Sequence, residues 1–370
     1  MPVPLLDLRA QHAAIRHTVV EHMMKVVDSQ LFILGAAVEE FERQVAALSH
    51  SRHAIGCASG TDAILLALRA LDIGRGDEVI TTPFTFFATA GTIHNVGATP
   101  VFVDIDPKTF NISPKAIAAA ITPRTKAIIP VDLFGQMAAM EEVSRVAKGI
   151  PVIEDAAQSI GARRSIDGES RMAGEPATMG TFSFFPSKNL GGYGDGGMIV
   201  TQDEALATRL RRLRVHGGAT QYFHDEVGYN SRLDALQAAV LSAKLPYLAG
   251  WSAKRRVNAA FYDKALAGIP GVKTPLVDRN NESIFNQYTI RAERRDALQA
   301  FLKEKGIGSA IYYPLPLHLQ PCFAYLKYQK GSMPDSEKAA AEVLSLPVFP
   351  ELTEAQLDEV AAAVREFHHV

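Results

Sequence analysis

The chain has 370 residues, with 38 Lys+Arg against 40 Asp+Glu, two cysteines and 47% hydrophobic residues. That length exceeds a single hydrophobic core of roughly 250–300 residues, so two domains are expected. A formal charge of −2 excludes the basic stripe of a nucleic-acid binder, and 21% charged residues with ample apolar content exclude disorder. No run of about 18 apolar residues is present to span a membrane. Asp7, Arg9 and His12 fall too early for a signal-peptide apolar segment. Cys57 and Cys322 lie far apart without companions at metal-ligand spacing, which argues against a zinc site or a disulfide scaffold. A soluble cytoplasmic protein, with neither nucleic acid nor membrane as partner, is the expectation.

From about residue 36 helical and strand patterns alternate. AAVEEFERQVAAL is helical, HAIGCA a short strand, TDAILLALRAL a helix and DEVIT a strand. Residues 86–96 form a helical pattern, PVFVDI a strand, and SPKAIAAAI a helix opened by Ser113 with Pro114 at its first position. TKAIIPVDLF, the helical AAMEEVSRVAK and PVIED follow. Apolar runs that do not alternate, separated by helices, predict a parallel sheet buried on both faces and an α/β architecture.

After PVIED the rhythm changes. Residues 161–177 are polar and glycine-rich, which predicts a surface loop. TFSFF and MIVT read as strands, and helical patterns follow at 203–214 and 232–245. A connector helix from about 252 to 268 leads to the strand NQYTIRA, the helix RRDALQAFLKEKG, the apolar SAIYY and two late helices. The expected division is a large domain over 1–245, with a helical amino-terminal segment, and a smaller α+β domain over 246–370.

Three glycine-rich segments compete as phosphate loops. Gly192–Gly197 matches G-x-G-x-x-G formally, but it precedes a strand where a dinucleotide fingerprint must open a helix. It reads better as a tight turn that lets backbones approach closely. Gly74-Arg75-Gly76 leads into a strand and reads as structural. Ser59-Gly60-Thr61-Asp62 follows a strand and opens a helix, where free N–H groups favour an anion. An ordinary cap by Thr61 or Asp62 fits that segment equally well.

Lys188 is the one cation in residues 172–208, set between aromatic residues and glycines. A lysine in apolar surroundings becomes a usable amine nucleophile or base. Its alternative is a lysine snorkelling to solvent. Asp155 ends the apolar run PVIED, at the carboxyl end of a buried strand where open α/β sheets bind ligands. An Asp facing a pyridinium nitrogen with a Lys forming a Schiff base is the pairing that pyridoxal phosphate (PLP) requires. A helix cap is the simpler reading of Asp155.

These segments resemble the DegT-type nucleotide-sugar aminotransferases, PLP enzymes of the fold-type I aspartate aminotransferase superfamily. The matching residues are Ile33-Leu34-Gly35, Ser59-Gly60-Thr61-Asp62-Ala63, Gly76-Asp77-Glu78-Val79-Ile80, Glu154-Asp155-Ala156-Ala157-Gln158, Phe182 through Gly197 and Asn230-Ser231-Arg232-Leu233-Asp234. Tyr313-Pro314, Leu317-His318 and Leu346-Pro347 match in the second domain. The resemblance implies a mostly parallel seven-stranded sheet between helices in the large domain. It makes Lys188 the Schiff-base residue and proton shuttle, Asp155 the partner of the pyridinium nitrogen, and Gln158 a neighbour of the ring hydroxyl. Phe86 would stack on the cofactor ring, while Gly60, Thr61 and Ser183 would hold its phosphate. Asn230 would reach the phosphate of the other subunit in a homodimer with shared active sites. Tyr313 and His318 would face the sugar nucleotide, although His318 taken alone reads more readily as a satisfied structural histidine.

A dehydratase branch of the family carries His in place of the lysine, so Lys188 favours transamination. The implied reaction moves an amino group from an amino acid, L-glutamate by expectation, to a nucleotide-linked keto sugar. The run Ile311–Pro321 resembles branches acting at C3, of the dTDP-3-keto-6-deoxyhexose type. Alternatives are a UDP-2-acetamido-3-keto-hexuronate enzyme and a C4 aminotransferase. A hexuronate needs a cation for its carboxylate; Arg209, Arg211, Arg212 and Arg214 form a basic run that reads better as a solvated helix face. A reading of a different class is a PLP-binding regulator or sensor without turnover. A desulfurase would need a reactive cysteine, and neither Cys57 nor Cys322 is well placed for one.

Overall fold

The computed structural model describes residues 2–220 and 222–369. Two helices, α1 (Leu8–Ser29) and α2 (Ala36–Leu48), precede the first strand, β1 (His53–Cys57). Then α3 (Gly60–Ala70), β2 (Glu78–Thr81), α4 (Phe87–Asn95), β3 (Thr99–Phe102), α5 (Pro114–Ala120), β4 (Thr125–Ile129), α6 (Met140–Ala147) and β5 (Ile153–Asp155) alternate. The strict alternation matches the order predicted from the apolar runs.

The polar stretch after β5, expected as a surface loop, is instead a hairpin of β6 (Arg163–Ile166) and β7 (Glu169–Met172). Asp167 (φ 51°) and Gly168 (φ 83°) turn it, the Asp-Gly pair that two-residue hairpins favour. β8 (Met179–Ser183) and β9 (Gly197–Thr201) follow, then α7 (Glu204–Leu213), α8 (Ala235–Lys244) and α9 (Leu248–Ala265).

One sheet runs β1-β9-β8-β5 and another β3-β2-β4. Parallel bridges Ile128↔Val152 and Val131↔Asp155 join them edge to edge into seven strands ordered β3-β2-β4-β5-β8-β9-β1. β9 runs antiparallel to both its neighbours, and the other strand pairs are parallel. Adjacent residues feed opposite cores: Ala54, Ile80, Ile128, Val152 and Val200 enter one, Ile55, Val79, Ile129, Ile153 and Ile199 the other. Both faces are covered, which is why these strands read as unbroken apolar runs.

A separate core lies beyond α8. Short strands β10 (Val272–Lys273) and β11 (Asn281–Glu282) precede β12 (Tyr288–Ala292). α10 (Arg295–Glu304), α11 (Pro334–Glu342), β13 (Val343–Leu346) and α12 (Glu354–Phe367) complete it, with sheet order β10-β12-β13. Tyr262, Tyr288, Leu302, Leu344 and Val360 fill this core, and Val3 joins them from the amino end through a bridge to Ile307. β11 pairs with β6, tying the two parts together. Among the described residues no helix is long and apolar enough to cross a membrane.

Candidate active site

The carboxyl ends of β5 and β8 and the first turn of α3 face one cavity of about 630 Å³. Its walls include Gly60, Thr61, Phe86, Asp155, Gln158, Ser183, Lys188 and Tyr313, eight of the ten residues singled out from the sequence. The parallel strands explain this convergence, because their carboxyl ends all open toward one edge.

α3 starts where its first-turn N–H groups meet the cavity. Ser59, rather than Thr61 or Asp62, caps it, accepting a hydrogen bond from the Asp62 N–H at 3.1 Å. That leaves the Thr61 hydroxyl facing the cavity. Gly60 is required by close approach: a Cβ there would lie 2.6 Å from Ser183 Cβ. Gly197 is fixed similarly, since its Cβ would stand 2.2 Å from the Ser59 carbonyl oxygen. The glycine-rich turn before β9 thus serves close packing, as its position ahead of a strand implied.

Asp155 is 5% exposed. One carboxylate oxygen accepts from Thr89 Oγ1 at 2.7 Å, and the other from the Ala157 N–H at 3.3 Å. Burial pushes its pKa up, against the pull of those donors and of Lys188. No cation lies within 4.0 Å of it among the described residues, so the carboxylate stands ready for a cationic ligand group. Burial pushes the Lys188 amine down to about 8, opposed by the charge of Asp155. Thr85 bonds Thr89 hydroxyl to hydroxyl at 3.0 Å, extending the support behind the carboxylate.

Gln158 is held at both ends. Its Oε1 accepts from the Phe134 N–H at 2.7 Å and its Nε2 donates to the Tyr313 hydroxyl at 3.1 Å. Phe86 is 59% exposed into the opening, its ring centroid 6.3 Å from that of Tyr313. The remaining two predicted residues lie elsewhere. Asn230 is exposed and lines a neighbouring recess of about 570 Å³, which shares Ser59 and Asp195 with the main cavity. His318 is buried, with Nε2 3.1 Å from a Glu337 carboxylate oxygen rather than on the cavity wall.

Sequence reasoning missed Thr89, Asn286, Gln287 and Tyr312. Thr89 sits three residues after Phe86 and could have been found from the polar pair Thr85 and Thr89 at helical spacing. Asn286 and Gln287 come from the segment between β11 and β12, distant in sequence from the other wall residues, and carry no local signal. Three of the four arginines of the basic run are spent on structure: Arg209 pairs with Asp72 and Glu226, Arg212 with Asp225, and Arg214 with Glu42. The Cys57 thiol is buried and its pKa pushed up, which removes it as a nucleophile.

The donor set fits PLP. A buried carboxylate lacking a cation suits a pyridinium N–H, an amine of depressed pKa suits the aldehyde, and a helix start cleared by Gly60 suits a phosphate.

The description "DegT/DnrJ/EryC1/StrS aminotransferase family" matches residues 13–365. A pleiotropic regulatory protein of Geobacillus stearothermophilus is 54% identical, covering 100% of this chain and 99% of its own. A UDP-N-acetyl-3-dehydro-alpha-D-glucosamine 3-aminotransferase of Acidithiobacillus ferrooxidans is 48% identical over 99% of this chain and 98% of its own. The crystal structure of Streptomyces venezuelae DesV in complex with a ketimine intermediate superposes with a TM-score of 0.97. It is 42% identical and covers 100% of this chain and 99% of that one. With the fold, the cavity and these likenesses in agreement, the chain belongs to the DegT/DnrJ/EryC1/StrS family and is a PLP-dependent aminotransferase.

Proposed function

We propose that this enzyme, as a homodimer, moves the amino group of L-glutamate to C3 of a nucleotide-linked keto sugar of the dTDP-3-keto-6-deoxyhexose type. The observation that carries the reading is the convergence of Lys188, Asp155 and the Gly60–Thr61 helix start on one cavity, roomy enough for a cofactor and a sugar. Amination at C3 is supported by the name of the Acidithiobacillus relative. That name carries UDP, so a UDP-2-acetamido-3-keto sugar is the second reading. Its hexuronate form finds no free cation in Arg209, Arg212 or Arg214, each already paired.

When bound, PLP supplies an aldehyde that takes over the amino group and a ring that accepts the electron pair left as a proton departs. The protein does the rest. Lys188, with its pKa near 8, has an appreciable neutral fraction near neutral pH and can take a proton from the donor α-carbon and return it. The Asp155 carboxylate, aimed by Thr89, keeps a proton on the ring nitrogen. Gln158 is locked in place to meet the ring hydroxyl. Phe86 would cover one ring face, and Gly60, Thr61 and Ser183 would receive the phosphate. Tyr313 lines the cavity wall beside Gln158, from where it would face the sugar.

A second copy of the chain is supported by the surface around Asn230. Tyr222, Phe223 and Val227 are largely exposed there, as are Leu31 and Ile33. Exposed apolar side chains gathered in this way mark a surface that another protein covers. Asn230 would then reach the phosphate of the partner's site. A pure regulator has no use for a depressed amine beside a buried carboxylate, which favours catalysis over the role in the Geobacillus relative's name.

The test offers the glutamate-treated enzyme dTDP- and UDP-linked 3-keto and 4-keto sugars side by side. A 3-amino product is expected, and exclusive C4 amination would overturn the proposal.

A further inference from the structure

We propose that Arg255 binds the side-chain carboxylate of the amino donor, so that the enzyme selects dicarboxylic amino acids. This rests on the aminotransferase reading and deepens it.

Arg255, on α9, is 5% exposed yet has no carboxylate within 4.0 Å among the described residues. Its Nη1 donates to the carbonyls of Phe285 (3.1 Å) and Asn286 (3.3 Å), while Nε is closed off from solvent with no acceptor. A buried cation without an anion is costly and is retained where something else supplies the charge. Glu351 acts on it only at longer range, and burial still pushes its pKa down to about 10.

Arg255 lines a recess of about 50 Å³. About 10–15 Å³ of such space already holds one water, so a carboxylate fits. Ser187, Asn286, Gln287 and Tyr312 line both this recess and the main cavity, which makes the recess a side chamber beside Lys188. Its other walls include the apolar side chains of Leu5, Leu6 and Val348, which lower the local dielectric around an ion pair formed there. Gln287 Oε1 is also closed off without a donor. Turning that amide by 180° aims its NH₂ instead, a second donor for an anion. A donor whose amino group is at Lys188 and whose distal carboxylate enters this chamber would bring an anion to the Arg255 guanidinium.

The test uses the PLP-loaded enzyme and follows the visible cofactor spectrum as amino donors are added. Wild type should convert with L-glutamate at far lower concentration than with L-alanine. Arg255→Met should lose that preference by about tenfold or more, as expected for a charge-assisted pair, and Arg255→Lys should restore part of it. Equal losses for both donors would overturn the proposal. Because Arg255 also ties down two carbonyls, a second measurement avoids the variant altogether. Glutarate should compete with L-glutamate on the wild-type enzyme at least about tenfold better than butyrate, and equal competition would overturn the proposal. A wild-type enzyme that converts with alanine and glutamate alike contradicts this inference alone. One that converts with no amino acid contradicts the aminotransferase reading itself.

Discussion

Thr89 Oγ1 donates to the Asp155 carboxylate at 2.7 Å, linking the first helical turn after β2 to the end of β5. Both side chains are buried, so the bond acts in low dielectric and counts for more than a surface contact. It opposes the burial that drives the Asp155 pKa upward.

Removing that donor should therefore impair the ring-nitrogen contact without emptying the cavity. Thr89→Val is expected to cost about 1.5–3 kcal/mol in transition-state stabilisation, the range for a bond to a charged group. The turnover number should fall about tenfold or more, and Thr89→Ser should recover most of it. Steady-state kinetics of the two variants checks this, and an unaffected Thr89→Val enzyme would contradict the role.

Lys188 carries a sign that pH can read. Its amine is held down to about 8, so above that value it is neutral and nucleophilic, and below it protonated and inert. The rate at which the apoenzyme takes up PLP should rise with pH through a midpoint near 8. An ordinary lysine would place that midpoint near 10.4. Stopped-flow absorbance over pH 6.5–9.5 would separate the two.

Gly60 tests the phosphate cradle. A methyl at that position would stand 2.6 Å from Ser183 Cβ, forcing β8 and the start of α3 apart. Gly60→Ala should cost about 1–3 kcal/mol of stability by overpacking, and weaken PLP affinity in step. Thermal melts and PLP titration measure both.

Glu154, beside Asp155 in sequence, is fully buried, as is Asp132. Glu154 Oε2 accepts from the Gly174 N–H, and its carboxyl group lies within hydrogen-bond reach of Asp132, with Glu154 the one that keeps the proton. Burial pushes both acids up, Asp132 to about 6 and Glu154 well above its usual range. A raised folded pKa contributes stability below the unfolded value, near 4, that is lost as pH climbs through the folded value. Glu154→Gln should accordingly gain stability relative to wild type at pH 8 and show less gain at pH 5. Urea midpoints at the two values test the sign.

Much of this site was legible because it hangs on strand ends. Asp155 closes the short strand segment PVIED, and Thr61 opens a helix shortly after HAIGCA, so their meeting at one sheet edge follows from parallel topology. The Asp167-Gly168 hairpin was missed because the segment around it is polar, although the dipeptide itself is a turn signal. His318 illustrates the opposite limit: its partner Glu337 comes from α11, and nothing local announces the pairing. Asn286, Gln287 and Arg255 were hidden for the same reason, since they reach the cavity region only once the chain beyond α8 packs against the seven-stranded part. The Asn230 expectation depends on a second copy of the chain, which no pattern within one sequence can display.

The most direct measurement follows the visible spectrum of the PLP-loaded enzyme before and after excess L-glutamate, for wild type and Lys188→Ala. The wild-type cofactor band should disappear with release of one equivalent of 2-oxoglutarate per site, and borohydride should fix the untreated cofactor to residue 188. Lys188→Ala should release no 2-oxoglutarate on this timescale. A wild-type spectrum indifferent to L-glutamate and every other amino donor, or full turnover in Lys188→Ala, would contradict the account.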